Sequence, residues 1–287
     1  MKTSTLLAIS PHADLIHKND DSIQRPKLSK APRRDRLVGM FRKLLSPASA
    51  FLALLSMVPL IQAESSSPKA VLPQFGKGTR LLFIGDSITD MNRDRRANTS
   101  DQNHLLGHSY VFLLAARLGV DTPGLEFINR GISGNTVKDL SARWQNDAIA
   151  ENPDVLTVLI GVNDSRKDVA LEDYEAGYRN LLTASRKANP QLKIVLLDPF
   201  ILKVDGKSAA RDLEERRARV DAYRGAVARL AEEFGAIHLR TQGLFDRASA
   251  PPSSPAYWLW DGIHPLPQGH ELIAREWLTL VGQDRSE

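Results

Sequence analysis

A chain of 287 residues, 42% hydrophobic and 25% charged, has the composition of a folded protein long enough for one large domain or two small ones. It has no cysteine, which excludes a disulfide framework, a thiolate nucleophile and any Cys-ligated metal. The net charge of +4 does not mark a nucleic-acid binder. Residues 1–63 hold 10 Lys and Arg against 4 Asp and Glu, whereas residues 64–287 hold 28 against 30, so the basic excess belongs to the leader.

Residues 1–39 are polar, basic and aperiodic, and are expected to be disordered. Residues 44–63 form an uncharged apolar stretch preceded by Arg42 and Lys43 and closed by Ala63. A basic start, an apolar run and a small terminal residue make a signal peptide over 40–63. A membrane anchor is the competing reading, disfavoured by the marginal length and by Pro47 and Pro59. Signal peptides begin near the N-terminus, so Met40 reads as the translation start, and residues 1–39 as an extension or a gene-model artefact. Export to the periplasm or the medium follows as the expectation. Residues 64–78, rich in Ser, Pro and Gly, read as a linker.

From residue 79 strands and helices alternate. Thr79–Gly85 is a short apolar run ending in glycine, hence a buried strand. Ser109–Leu118 has helical apolar spacing, Leu125–Asn129 is a second strand, and Val137–Ile149 a helix. Asp154–Gly161 is a third strand, β-branched and apolar. Leu171–Ala188 is a helix closed by Asn189-Pro190, and Lys193–Leu197 a fourth strand. Asp212–Phe234 is a long charged helix, Ala236–Leu239 a fifth strand, and Pro267–Val281 the last helix. Near-continuous apolar strands between amphipathic helices predict a five-stranded parallel sheet covered on both faces, a three-layer α/β/α sandwich of flavodoxin-like type over 79–283. In such sheets the site lies beyond the carboxyl ends of the strands.

The segments at that edge are polar. Gly85-Asp86-Ser87 follows the first strand, Gly131-Ile132-Ser133-Gly134 the second, and Gly161-Val162-Asn163-Asp164 the third. Asp261-Gly262-Ile263-His264-Pro265 precedes the last helix. Acyl transfer needs these residue types. A serine hydroxyl is a weak nucleophile until a base takes its proton, a role open to Ser87 with His264. A carboxylate must hold the imidazole and stabilise its cation, a role open to Asp261. The developing oxyanion needs preorganised donors, for which the Ser87 and Gly134 amides and the Asn163 side chain are candidates. No metal or organic cofactor is expected. A histidine base must be neutral, so activity is expected to rise through about pH 6–7.

These four segments, in this order, resemble the signature blocks of the SGNH, or GDSL, hydrolase superfamily, over about residues 79–283. Longer stretches, Leu82–Asp90, Gly131–Leu140, Arg143-Trp144, Ile160–Asp164 and His264-Pro265 with Gly269-His270, are similar to its acetylxylan-esterase-type branch. The resemblance implies a serine esterase that removes acetyl groups from carbohydrate through an acyl-enzyme, with Ser87, Asp261 and His264 catalytic and Ser87, Gly134 and Asn163 forming the oxyanion hole. A lipid-directed esterase or lysophospholipase of the same superfamily is the second reading, and a carbohydrate-binding protein on a disabled scaffold the third. No nucleic-acid partner is expected, nor stable membrane association after leader removal. Homo-oligomerisation is left open.

Other residues carry two readings. Ser87 alone also reads as a helix N-cap. Asp86 is a candidate substrate contact or a loop residue bonding backbone, and Asp164 has either a direct chemical role or the same backbone-bonding one. Trp258 and Trp260 can stack on a sugar face or fill a core. Trp144 reads as core, His270 as a surface or packing residue, and the run Arg211–Arg219 as a solvated helix face. His104 and His108, four apart, lack a metalloprotease pattern. They lie in a polar insertion, Met91–His108, read either as a wall of the site or as a solvated loop.

Overall fold

The computed structural model describes residues 75–95, 103–206 and 213–283. The extension, the signal peptide and most of the linker, residues 1–74, lie outside them. Five strands form one parallel sheet: β1 Arg80–Gly85, β2 Glu126–Gly131, β3 Val155–Leu159, β4 Lys193–Leu197 and β5 Ile237–Leu239, in the order β2-β1-β3-β4-β5. Ten helices connect and flank the strands among the described residues: α1 Ser87–Asp90, α2 Asn103–Leu106, α3 Tyr110–Asp121, α4 Val137–Trp144, α5 Val162–Arg166, α6 Leu171–Ala188, α7 Leu213–Phe234, α8 Thr241–Ala248, α9 Pro255–Trp258 and α10 Pro267–Gln283.

The strands' side-chain alternation builds three layers. Leu81 and Phe83 face one side, where they meet α3 through Val111 and Leu114 and α10 through Ile273 and Trp277. Leu82 and Ile84 face the other, packing with Leu140 and Trp144 of α4, Tyr178 and Leu182 of α6, and Val227 and Leu230 of α7. Each such side chain, fully buried, stabilises the fold by about 1.5–3 kcal/mol. Two buried indoles are satisfied inside: Trp277 Nε1 donates to Thr157 Oγ1 at 3.1 Å and Trp144 Nε1 to Ser185 Oγ at 3.0 Å.

Several expectations are adjusted. The second strand runs to Gly131, because Arg130 and Gly131 continue the ladder opposite Ile84 and Gly85. The helix expected over Val137–Ile149 is α-helical only to Trp144 and finishes in a π turn, Gln145–Ile149. The short helices α1, α5, α8 and α9 carry too few turns to show a periodicity. Helix α2 stops before Gly107, so His104 and His108 share no helix face. His270 is buried, its Nδ1 accepting the Tyr110 N–H at 3.2 Å.

The register aligns Gly85 with Gly131 on one side and with Leu159 on the other, so the first three strands end level. Strand β1 lies between β2 and β3, so successive crossovers leave it in opposite directions. A crevice at the carboxyl ends of such strands is where this class of sheet binds ligands.

Candidate active site

Ser87 opens α1, and the cap is its neighbour: Asp86 Oδ1 accepts the Ile88 N–H at 3.0 Å. Ser87 is thereby relieved of capping and its side chain turns to the crevice, where Oγ lies 2.8 Å from His264 Nε2. The other ring nitrogen, Nδ1, lies 2.7 Å from Asp261 Oδ2. Asp261 Oδ1 accepts the backbone N–H groups of Ile263 at 3.0 Å and His264 at 2.8 Å. The three residues thus stand in hydrogen-bonded series across 177 positions of sequence.

The turn that joins Asp261 to His264 is closed at its base. Leu259 and Pro265 form an antiparallel bridge, and the Trp260 N–H donates to the His264 carbonyl at 3.1 Å. Gly262 has φ 89°, and a Cβ there would lie 2.3 Å from the Leu202 carbonyl oxygen, so only glycine fits both the backbone and the space. Burial alone would raise the Asp261 carboxyl, but the His264 ring and the two backbone amides hold it below the ordinary carboxylate value.

Gly134 has φ 83°, and a Cβ on it would meet nothing within 4 Å, because that direction is the crevice. Asn163 Nδ2 donates one hydrogen to the Asn135 carbonyl at 3.1 Å. An amide nitrogen carries two donors, so the bond fixes the side chain and leaves the second hydrogen to the crevice. The Ser87 amide, first in α1, has no intrahelical acceptor. Three residues that can supply N–H donors thus line the same cleft, from the loops after β1, β2 and β3.

A buried network sets the height of the loop after β2. Asp90 Oδ2 accepts both the N–H and the Oγ–H of Ser133, at 2.9 and 2.8 Å. Arg93 Nε donates to the Gly131 carbonyl at 2.7 Å. Arg143 spans the strand ends, donating to the Arg130 carbonyl at 2.7 Å, the Gly85 carbonyl at 3.3 Å and Asn135 Oδ1 at 2.8 Å. Beneath the site lie two further carboxyls. Burial pushes Asp86 up to about 7 and Asp164 up to about 6. Each keeps one oxygen bonded, to Ile88 N and Val137 N, and one buried without a partner.

Ser87, Gly134, Asn163, Asp261 and His264 all line one cleft of about 740 Å³. Asp86 does not: it is 1% exposed and committed to capping α1, so it is no substrate contact. Nor does Trp258, whose indole N–H donates to Ala248 O and Ser253 Oγ while the ring packs on the core. Trp260 is 51% exposed and its ring centroid lies 5.5 Å from that of His264. The described ends of the Met91–His108 segment fold under the loop after β2, through Arg93 and through buried Leu105 and Leu106, rather than into the cleft. Among the described residues no group of three or more His, Asp or Glu is placed to hold a metal ion.

The acidic cleft residues Asp168 and Glu215 were given no site role by the sequence, nor were the basic Arg166, Arg216 and Arg219. The run containing the last two read as a solvated face. Arg216 is instead 7% exposed, because α7 packs its first turns against α5, and its Nη2 donates to the Val162 carbonyl at 3.4 Å. No local pattern marks a residue whose burial comes from a helix 50 positions away.

The family model of the GDSL-like lipase/acylhydrolase family matches residues 83–272. An acetylxylan esterase of Geobacillus stearothermophilus is 36% identical over 222 residues, covering 73% of this chain and 96% of the relative. The crystal structure of Axe2, an acetylxylan esterase from Geobacillus stearothermophilus, superposes with a TM-score of 0.63 at 35% identity, covering 74% of this chain and 99% of that one. LAE5, an alpha/beta hydrolase from the metagenome of Lake Arreo, Spain, superposes at 0.64 with 35% identity, covering 72% and 97%. Solved variants of Axe2 described as catalytic mutants replace a serine or an aspartate by alanine.

Proposed function

The chain belongs to the GDSL-like lipase/acylhydrolase family and is a carboxylic-ester hydrolase, and we propose that it removes acetyl groups from carbohydrate through a covalent acyl-enzyme. The hydrogen-bonded series Ser87–His264–Asp261 is the observation that carries the mechanism. His264 Nε2 takes the Ser87 proton as Oγ attacks the acetyl carbonyl. His264 Nδ1–H donates to Asp261, whose negative charge stabilises the imidazolium. The Ser87 and Gly134 amides and Asn163 Nδ2 receive the oxyanion; each such donor contributes about 2.7–4 kcal/mol to the barrier reduction. The protonated His264 then delivers its proton to the leaving sugar oxygen. In the second half-reaction it activates water to release acetate.

Two observations support a sugar ester over a long-chain lipid. Among the described cleft-lining residues Ile263 is the sole large apolar side chain, the remainder being polar or charged. A long acyl chain needs an extended apolar groove. The exposed ring of Trp260 beside His264 offers a face on which a sugar can stack. The relatives described as acetylxylan esterases point the same way.

The leader over residues 40–63 supports export, which N-terminal sequencing of the mature protein tests: a mature chain that keeps residues before Met40 contradicts it. The reaction is tested by acetate release from acetylated xylan beside a panel of lipid esters. Ser87→Ala is expected to abolish release and labelling by a fluorophosphonate while melting like the parent. Retained turnover in that variant ends the mechanism.

A further inference from the structure

Residues of α5 and α7 also wall the cleft. Arg166 ends α5, three residues after Asn163, and is exposed to the cleft without a hydrogen bond or ion pair to another described residue. Arg216, almost wholly buried, lines the same wall from α7. Arg219 completes it, with Nη1 2.5 Å from Asp168 Oδ1 and 3.1 Å from Glu215 Oε1. The wall thus sets three cations against two carboxylates, and both carboxylates are held by Arg219. The cleft's other carboxylate, Asp261, is taken up by His264 and the turn amides. Arg166 is left as a cation whose charge no described carboxylate takes up, lining the cavity one helical turn from a candidate oxyanion donor.

A guanidinium presents a planar fork that matches an oxyanion in two bonds. We propose that this wall holds a carboxylate on the substrate, so that the acetyl group removed sits on a glycan bearing a uronic acid, with Arg166 setting the preference. A phospholipid would offer an oxyanion too, but the described lining has no apolar groove for its chains. The inference rests on the acetyl-carbohydrate reading above and names its substrate class more closely.

Acetylated xylo-oligosaccharides with and without a glucuronic-acid branch, together with lysophosphatidylcholine, test it on the full chain and on Arg166→Gln and Arg166→Lys. The parent is expected to show kcat/KM about tenfold higher on the branched acid, carried by KM and shrinking as salt is added. Arg166→Gln is expected to bring the ratio near one and Arg166→Lys to keep part of it. Melting curves and fluorophosphonate labelling establish that the variants are folded and competent. Equal rates of the parent on neutral and acidic oligosaccharides, or an unchanged ratio in Arg166→Gln, overturn the inference and leave the acetyl-carbohydrate esterase standing. Hydrolysis of the phospholipid ester with neither oligosaccharide cleaved overturns both.

Discussion

Replacing Arg143 by alanine tests whether the site is held by its scaffold or merely carried on it. The side chain is 15% exposed and makes four contacts: carbonyls at the ends of β1 and β2, the Asn135 side chain and Asp147 Oδ2 at 2.6 Å. The Asp147 pair, at i and i+4 on a helix, adds only about 0.3–0.5 kcal/mol. The other three bonds join a charged donor to part-buried acceptors, at about 1 kcal/mol each once solvent is allowed for. The expected loss is about 2–4 kcal/mol. For a domain of this size that corresponds to about 5–15 °C in Tm. Activity should change in a specific way. Asn135 adjoins Gly134 and receives the Asn163 amide, so loosening it moves two proposed oxyanion donors together. We expect kcat on p-nitrophenyl acetate to fall about tenfold to a hundredfold with little change in KM. Arg143→Lys should recover charge but not the forked bonds, restoring stability more than kcat. If Arg143→Ala melts within about 2 °C of the parent and keeps its kcat, the guanidinium does not position the loop and this account of the site is wrong.

Three further outcomes follow from the geometry. Asn163→Ala should lower kcat by about 10²–10³ while leaving fluorophosphonate labelling of Ser87 detectable; an unchanged kcat removes Asn163 from the oxyanion site. Asp86→Asn keeps an acceptor for the Ile88 amide but removes a carboxyl that burial raises to about 7. A raised carboxyl pKa means the folded state holds its proton more tightly than the unfolded chain. Its contribution therefore grows less favourable as pH rises from about 4 to about 7, and the variant should gain stability over the parent across that window. Urea melts at pH 4 and 7 measure the difference, and parallel curves contradict it. Trp260→Ala should raise KM for acetylated oligosaccharide several-fold more than for p-nitrophenyl acetate, as expected of a stacking surface; an equal effect on both argues against stacking.

The sheet was legible because its strands are apolar runs bounded by glycine and polar turns, and the helices that cover it have long amphipathic faces. Leu171–Ala188 and Lys193–Leu197 were read to the residue. The site segments were legible because a parallel sheet sends every strand end to one edge. What escaped depends on contacts between distant elements. Asp86 carried two readings, and the backbone-bonding one holds, because its carboxyl caps α1 and is buried. Trp258 and Trp260 are indistinguishable in sequence, yet the first spends its N–H on Ala248 and Ser253 and the second lies open. The cation at 216 looked solvated because α7, read alone, is charged on most of its surface. Its concealment requires α5, a helix too short to announce itself by periodicity.

The 177 positions between Ser87 and His264 also govern when the protein can act. Ser87, the proposed nucleophile, is synthesised early, with β1; His264, its proposed base, arrives only after β5, in the turn that the bridge from Leu259 to Pro265 closes. Pairings of such long sequence separation form late and slowly in folding, and they need most of the chain to have emerged. Until the C-terminal turn docks, Ser87 is an ordinary hydroxyl. The nascent or partly folded chain is therefore chemically silent toward esters, and the appearance of turnover serves as a clock for the closing step of assembly.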